Sequence, residues 1–160
     1  MKRQKNGFSL IELLIVVAII LIIAAIAIPN LLRARMQANE ASAASSIHAI
    51  NTAEISYSAA FPTVGFSPSL LSLGNGGGSA CPASSTASCY IDDTLAAGTK
   101  SGYVFTYVQD VSSTPSLKYT FNADPTTRGI SGQRSFFSNE SNVTRWNPSV
   151  AATSADAPLQ

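Results

Sequence analysis

The longest apolar stretch of the chain lies near its N-terminus. Residues 8–28 contain only two polar side chains, Ser9 and Glu12, and residues 13–28 are apolar without a break. A helix rises about 1.5 Å per residue, so this stretch would span about 31 Å, which matches the hydrocarbon core of a bilayer. The pattern predicts a membrane-spanning helix with one carboxylate near its start.

The helical pattern continues beyond this stretch, to Phe61. Apolar side chains recur there every three or four positions, which predicts an amphipathic helix with one buried face: Ala43, Ile47, Ile50, Tyr57 and Phe61, with Glu54 as the one polar member. Pro62 is the expected stop. Pro29 lies inside the helix, where it removes a hydrogen bond to Ala25 and should loosen the backbone. We therefore divide the helix into halves at 8–29 and 30–61.

The rest of the chain alternates between turn signals and short β-rich segments. Residues 62–101 lack periodicity and predict a long loop, whereas residues 102–146 predict a small antiparallel sheet with strands at 103–108, 117–123, 133–137 and 143–146. The first two strands carry apolar side chains on one face: Tyr103, Phe105 and Tyr107, then Leu117, Tyr119 and Phe121. Residues 147–160 are expected to form a flexible tail. The predicted fold class is α+β, a long N-terminal helix packed on this sheet.

Charge indicates the direction of the helix in the membrane. The basic residues Lys2, Arg3 and Lys5 precede the apolar stretch, which predicts that residues 1–7 lie in the cytoplasm. Without these residues the formal net charge falls from +1 to −2, so no basic patch remains that would favour a specific role with nucleic acid.

The two cysteines, Cys81 and Cys89, lie within the predicted loop. In an oxidising compartment the simplest interpretation is a disulfide that closes a short loop. Two thiols without a nearby histidine supply at most half of a zinc site, so we predict no metal there.

Catalytic motifs are missing from the sequence. Serine and threonine are plentiful, but none lies in a nucleophile-elbow pattern, and the one histidine, His48, lies beside the apolar helix face. Four oxygen-bearing residues could approach a calcium ion but do not have the spacing of an EF-hand loop: Asp124, Ser138, Asn139 and Glu140. We expect no enzyme activity and no cofactor.

Glu12 separates three interpretations of the apolar stretch. Ala25-Ile-Ala27 would suit cleavage of an ordinary secretory signal, and a single-pass anchor would also explain the length. A carboxylate at membrane depth costs about 2.5–3.5 kcal/mol on insertion scales, so neither role accounts for Glu12. Pairing of this carboxylate with a positive charge from another copy of the chain would account for it.

The residues around this carboxylate match a known family. Gly7-Phe-Ser-Leu-Ile-Glu12, the apolar run after it and Ala27-Ile-Pro29-Asn-Leu resemble type IV prepilins and type II secretion pseudopilins. The resemblance implies a pilin-like fold and a structural subunit of a type IV pilus. The alternative that it implies is a pseudopilin in a short periplasmic filament.

The resemblance also assigns roles to particular residues. Prepilin peptidase would cut between Gly7 and Phe8 and methylate the new N-terminus at Phe8, and Glu12 would pair with the N-terminal ammonium of a neighbouring subunit. Pro29 corresponds to a helix-loosening proline. The implied partners are other copies of the chain, the peptidase and the pilus or secretion machinery of the inner membrane. The precursor would lie in that membrane, and the mature chain would form a surface pilus or a periplasmic pseudopilus.

Overall fold

The computed structural model describes residues 9–78 and 84–159, and the chain divides into two compact units, Met1–Arg35 and Met36–Gln160. One helix, α1 (Leu10–Ala60), contains Pro29 and ends two residues before Pro62. The N–H of Phe61 still donates to the Tyr57 carbonyl at 2.8 Å, and the chain then turns. Within the described residues, the long helix predicted from the apolar pattern is confirmed.

In the first unit, the side chains of α1 are apolar on every side from Leu13 to Ile28. Leu10, Leu21 and Ile26 have 80%, 63% and 64% of their surface exposed, and Leu31 has 69%. Among the described helices, α1 has the length and composition needed to cross a membrane. A helix that is hydrophobic all round requires cover from lipid or from other protein.

In the second unit, a five-stranded antiparallel sheet follows the helix in simple meander order, β1 to β5. The strands are β1 (Thr99–Lys100), β2 (Tyr103–Gln109), β3 (Tyr119–Pro125), β4 (Ser135–Asn139) and β5 (Arg145–Asn147). In the central pair, Phe105 lies opposite Ala123 and Tyr107 opposite Phe121. The predicted α+β fold is confirmed, with β1 as a strand that the sequence pattern did not indicate.

The core lies between one face of α1 and one face of the sheet. The predicted helix stripe is buried, with Ile47, Ile50 and Tyr57 at 0% exposure. The opposing side chains of the sheet belong to the same cluster: Tyr103, Phe105, Tyr119, Phe121, Ala123 and Phe136. Leu117 departs from the prediction. It precedes β3 and is 64% exposed.

The predicted loop contains two short helices, α2 (Leu70–Leu73) and α3 (Asp93–Ala96). Each begins with a capping side chain: the Ser69 side chain accepts the N–H of Ser72, and the Asp92 side chain accepts the N–H of Leu95. Such caps satisfy backbone donors that a helix start leaves unpaired. The loop therefore has local structure although it lacks apolar periodicity.

The segment expected to form a flexible tail is attached to the sheet. The N–H of Trp146 donates to the Ala157 carbonyl at 3.1 Å, and the N–H of Leu159 donates to the Thr144 carbonyl at 2.7 Å. Ala152 is 2% exposed, and its carbonyl accepts the Asn122 amide at 2.6 Å. Hydrogen bonds of the backbone thus hold this segment in place, although its small side chains have no pattern that predicts packing. The bonds made by Ala157 and Leu159 also cover the outer edge of β5. One edge of the sheet is therefore the two-residue strand β1, and the other edge is the covered strand β5.

Candidate functional site

The carboxylate of Glu12 lies in the first turn of α1. The N–H of Ser9 donates to its Oε2 at 2.9 Å, and the N–H of Leu13 donates to the Ser9 carbonyl at 3.2 Å. Ser9 therefore immediately precedes the helix, and Glu12 accepts an amide that the helix leaves unbonded. A carboxylate is further favoured there by the helix dipole.

This contact is half of a capping box, in which a glutamate three residues after a serine reaches back to the serine N–H. Ser9-Leu-Ile-Glu12 is the sequence signature of that motif, so this bond could have been predicted from the sequence. Within the described residues, Oε1 of Glu12 has no hydrogen bond. Glu12 can thus cap its own helix through one oxygen while the other is available to a cation.

The other predicted site residues are placed only in part. Gly7, Phe8 and Cys81 lie outside the described residues. Pro29 lies within α1, where its role in loosening the helix stays a prediction. Cys89 has a φ of 56°, and its N–H donates to the Gly74 carbonyl at 2.8 Å. The Cys81–Cys89 disulfide also stays a prediction.

A second carboxylate of α1, Glu40, joins the helix to the two residues that precede β4 in the second unit. Its Oε1 accepts the N–H groups of Gln133 and Arg134 at 2.8 and 3.1 Å, and its Oε2 lies 2.7 Å from the Arg134 Nε. Although burial acts in the opposite direction, these hydrogen bonds and the guanidinium lower the pKa of Glu40. The guanidinium carbon also lies 5.7 Å from the Phe136 ring and 5.6 Å from the Trp146 ring, within cation–π range.

A third carboxylate, Glu54, lies in the core with no exposed surface. The N–H of Ser67 donates to its Oε2 at 2.9 Å, and the Ser67 hydroxyl donates to its Oε1 at 2.5 Å. The Tyr107 hydroxyl donates to the Ser67 carbonyl at 2.8 Å. Burial raises the pKa of Glu54, although the bonds from Ser67 lower it in part. Glu54 thus attaches the segment after α1 to the helix.

Glu54 gives a prediction for the dependence of stability on pH. Because the folded-state pKa of Glu54 is raised above 4.5, this carboxyl group binds a proton more readily in the folded chain than in the unfolded chain. The contribution of Glu54 to stability therefore falls as the pH rises above 4.5. Relative to Glu54→Gln, which cannot titrate, the wild type should therefore lose stability as the pH rises from 4.5 through the folded-state pKa. Urea unfolding of the full chain in detergent would measure this. A difference in unfolding free energy that stays constant over this range would contradict it.

In residues 9–78 and 84–159, no group of three or more His, Cys, Asp and Glu side chains is placed so that it could hold a metal ion. Two of the four residues considered for calcium have other partners. The Ser138 hydroxyl bonds with the Asn51 side chain, and the side-chain oxygen Oδ1 of Asn139 accepts the N–H of Ser141 at 3.1 Å. His48 is exposed, in a shallow groove with Thr52.

Comparisons with known proteins concern the N-terminal segment. Residues 2–28 match the prokaryotic N-terminal methylation motif. The type IV wide pilus major component PilA4 of Thermus thermophilus is 66% identical over 38 residues, which are 24% of this chain and 29% of that protein. The type IV major pilin protein PilA of Myxococcus xanthus is 46% identical over 54 residues, which are 34% of this chain and 24% of that protein. No solved structure matches.

The matches thus span less than a third of the length of either relative. The methylation motif, at residues 2–28, includes the capped carboxylate of Glu12 and the apolar stretch that follows it. Over part of its length, the chain is thus similar to type IV pilins, and it carries the N-terminal methylation motif.

Proposed function

We propose that the chain is a structural subunit of a type IV pilus, which is cut between Gly7 and Phe8, methylated at Phe8 and assembled into a filament. The observation that carries this proposal is the apolar surface of α1 from Leu10 to Ile28, which surrounds the helix and is interrupted by one carboxylate, Glu12. A subunit that moves from lipid into a bundle of identical helices requires both features.

The apolar helix supports the first stage, in the membrane. The precursor would span the inner membrane with residues 1–7 in the cytoplasm, in accord with Lys2, Arg3 and Lys5. Prepilin peptidase and the assembly machinery of that membrane would be its partners. The role requires no catalysis, cofactor or metal from this chain.

Glu12 supports the second stage, in the filament. In a bundle of apolar helices the N-terminal ammonium of each subunit requires a partner, since an uncompensated buried charge costs about 3–5 kcal/mol. Glu12 Oε1 is available for that ammonium while Oε2 holds Ser9. Because both relatives are pilus components by name, we favour a surface pilus over a periplasmic pseudopilus.

The mass of the filament protein tests this proposal. Protein sheared from the cell surface should begin at Phe8 and carry one added methyl group, and labelled chains should appear in long surface fibres. The variant Gly7→Glu serves as a control and should stay uncut, because a large charged side chain before the bond cannot occupy a pocket suited to glycine. A mature chain that begins at Ile28 would instead show cleavage of an ordinary signal after Ala27. Short fibres confined to the periplasm would favour the pseudopilin.

A further inference from the structure

The sheet of the second unit presents different chemistry at its two ends. Strand β2 has seven residues, so these ends lie about 23 Å apart. One end contains the turn from β2 to β3 and the residues that follow β4. The opposite end contains the loop from β3 to β4, residues 126–133, which we call the Arg128 loop.

The first end, which we call the acidic end, comprises residues 108–111, 117–120 and 139–140. Its apolar side chains are open to solvent, with Val111 at 84%, Leu117 at 64% and Val108 at 57% exposure. Beside them lies a groove of about 470 Å³, which is lined by two carboxylates and one ammonium, those of Asp110, Glu140 and Lys118. Hydrogen bonds from Ser112 lower the pKa of Asp110, so that this carboxylate is ionised at neutral pH. The acidic end therefore suits an apolar side chain with a cation next to it.

The Arg128 loop has these two features. Ile130 is 68% exposed at its tip, and Arg128 is the one charged residue among residues 126–133. Two guanidinium nitrogens of Arg128 donate to the Gln133 carbonyl and to the Ser135 hydroxyl, and these bonds use two of the five N–H donors.

The backbone of this loop is held in place. The N–H of Ile130 donates to the Thr127 carbonyl at 3.1 Å, and the N–H of Gly129 donates to the Gly132 carbonyl at 2.9 Å. The φ of Gly129 is +83°, a value that favours glycine, and a Cβ there would meet open space. Since the loop is already ordered in the single chain, docking would lose little conformational entropy.

Identical copies in an open filament meet through heterologous contacts, in which one surface of each copy binds a different surface of the next. We propose that the Arg128 loop of one copy docks at the acidic end of the next copy, with Ile130 against Val111 and Leu117 and with Arg128 beside Asp110 and Glu140. This contact rests on the proposed function, because it requires a filament. It adds a second interface, between globular units, to the helix bundle.

Cysteine cross-linking in filaments tests the contact. The full chain with both Val111→Cys and Ile130→Cys would be expressed in its host, and sheared filaments would be treated with a short bismaleimide, which tolerates wider separations than a disulfide. We expect a reducing gel to show a ladder of dimers, trimers and larger species. A mixture of the two single variants should give dimers but no ladder, and each single variant alone should stay monomeric. Leu117→Cys with Ile130→Cys should repeat the ladder.

Several outcomes would overturn the docking. Intact filaments of both double variants without a ladder would exclude it, and dimers from Val111→Cys alone would show that like ends pair. Wild-type filaments treated in the same way exclude reaction through Cys81 and Cys89, and a wild-type ladder would remove the support for the contact. If the wild type makes no filaments, the proposed function fails and the docking proposal fails with it. Filaments without a ladder contradict the docking alone.

Discussion

Glu12→Gln is expected to abolish filament formation while the precursor stays stable in the membrane. Glutamine keeps the length of the side chain and an oxygen that can accept the Ser9 N–H, so the start of α1 should be preserved. It removes the negative charge, and the ammonium of the neighbouring Phe8 would then be buried without a partner. A cost of about 3–5 kcal/mol for each contact corresponds to a loss of roughly 10²- to 10⁴-fold in its equilibrium constant.

Quantification of the chain in sheared and membrane fractions would measure this effect. We expect cleavage at Gly7 to continue and the mature variant to accumulate in the membrane. Ser9→Ala is the matched control, since it keeps both the carboxylate and the backbone N–H and should still form filaments. Normal filament yield from Glu12→Gln would show that Glu12 serves as a helix cap and that its charge is not required.

Glu40→Gln should lower the free energy of unfolding by about 2–3 kcal/mol at pH 7. We expect this loss to be larger than that caused by Glu54→Gln, the matching change at the other buried carboxylate of the second unit. The variant loses a charge that accepts two backbone N–H groups and pairs with Arg134, and its amide NH₂ would face a guanidinium donor. The side chain of Arg134 is 38% exposed, so water can solvate part of the remaining charge, which limits the loss.

The pH dependence of this variant should be opposite to that of Glu54→Gln. Because the folded-state pKa of Glu40 is lowered, its contribution is present above 4.5 and is lost as pH falls through the folded-state pKa. The difference between the wild type and Glu40→Gln should therefore shrink in acid, as urea unfolding of the full chain in detergent would show. A variant within about 0.5 kcal/mol of the wild type at pH 7 would indicate that the pair behaves as a surface contact.

The parts of the fold that could be predicted are those with a strong local signal. The spacing of Ile47, Ile50 and Tyr57 identified the buried helix face, and the alternation of Tyr103 and Phe105 identified a strand and its inner side. Leu117 shows where such a pattern misleads, since it continues the alternation of β3 but lies outside the strand. The alternation alone does not indicate where pairing stops.

Contacts between distant residues could not be predicted in this way. In the sequence, Glu54 interrupts the apolar stripe of the helix. Its hydrogen-bond partner Ser67 could not be identified, because Ser67 lies in a segment without periodicity. Glu40 and Arg134 are 94 positions apart, and each resembles an ordinary charged residue in the sequence. The apolar residues around Glu12 were enough to predict that this carboxylate has a function. The hydrogen bond from the Ser9 N–H was not predicted, although its Ser-x-x-Glu signature is local.

The two outer strands of the sheet would limit how copies of this chain can associate. An unpaired strand edge is a template for β-augmentation, and a protein that reaches high local concentration on its way into a fibre would risk amyloid-like association through it. Here β1 offers only two residues, one of them Lys100, while Trp146 in β5 is already bonded to Ala157 and Thr144, just before β5, to Leu159. Growth by strand exchange is therefore disfavoured, and a fibre of this chain would stay an ordered stack of folded domains that can be taken apart without unfolding them.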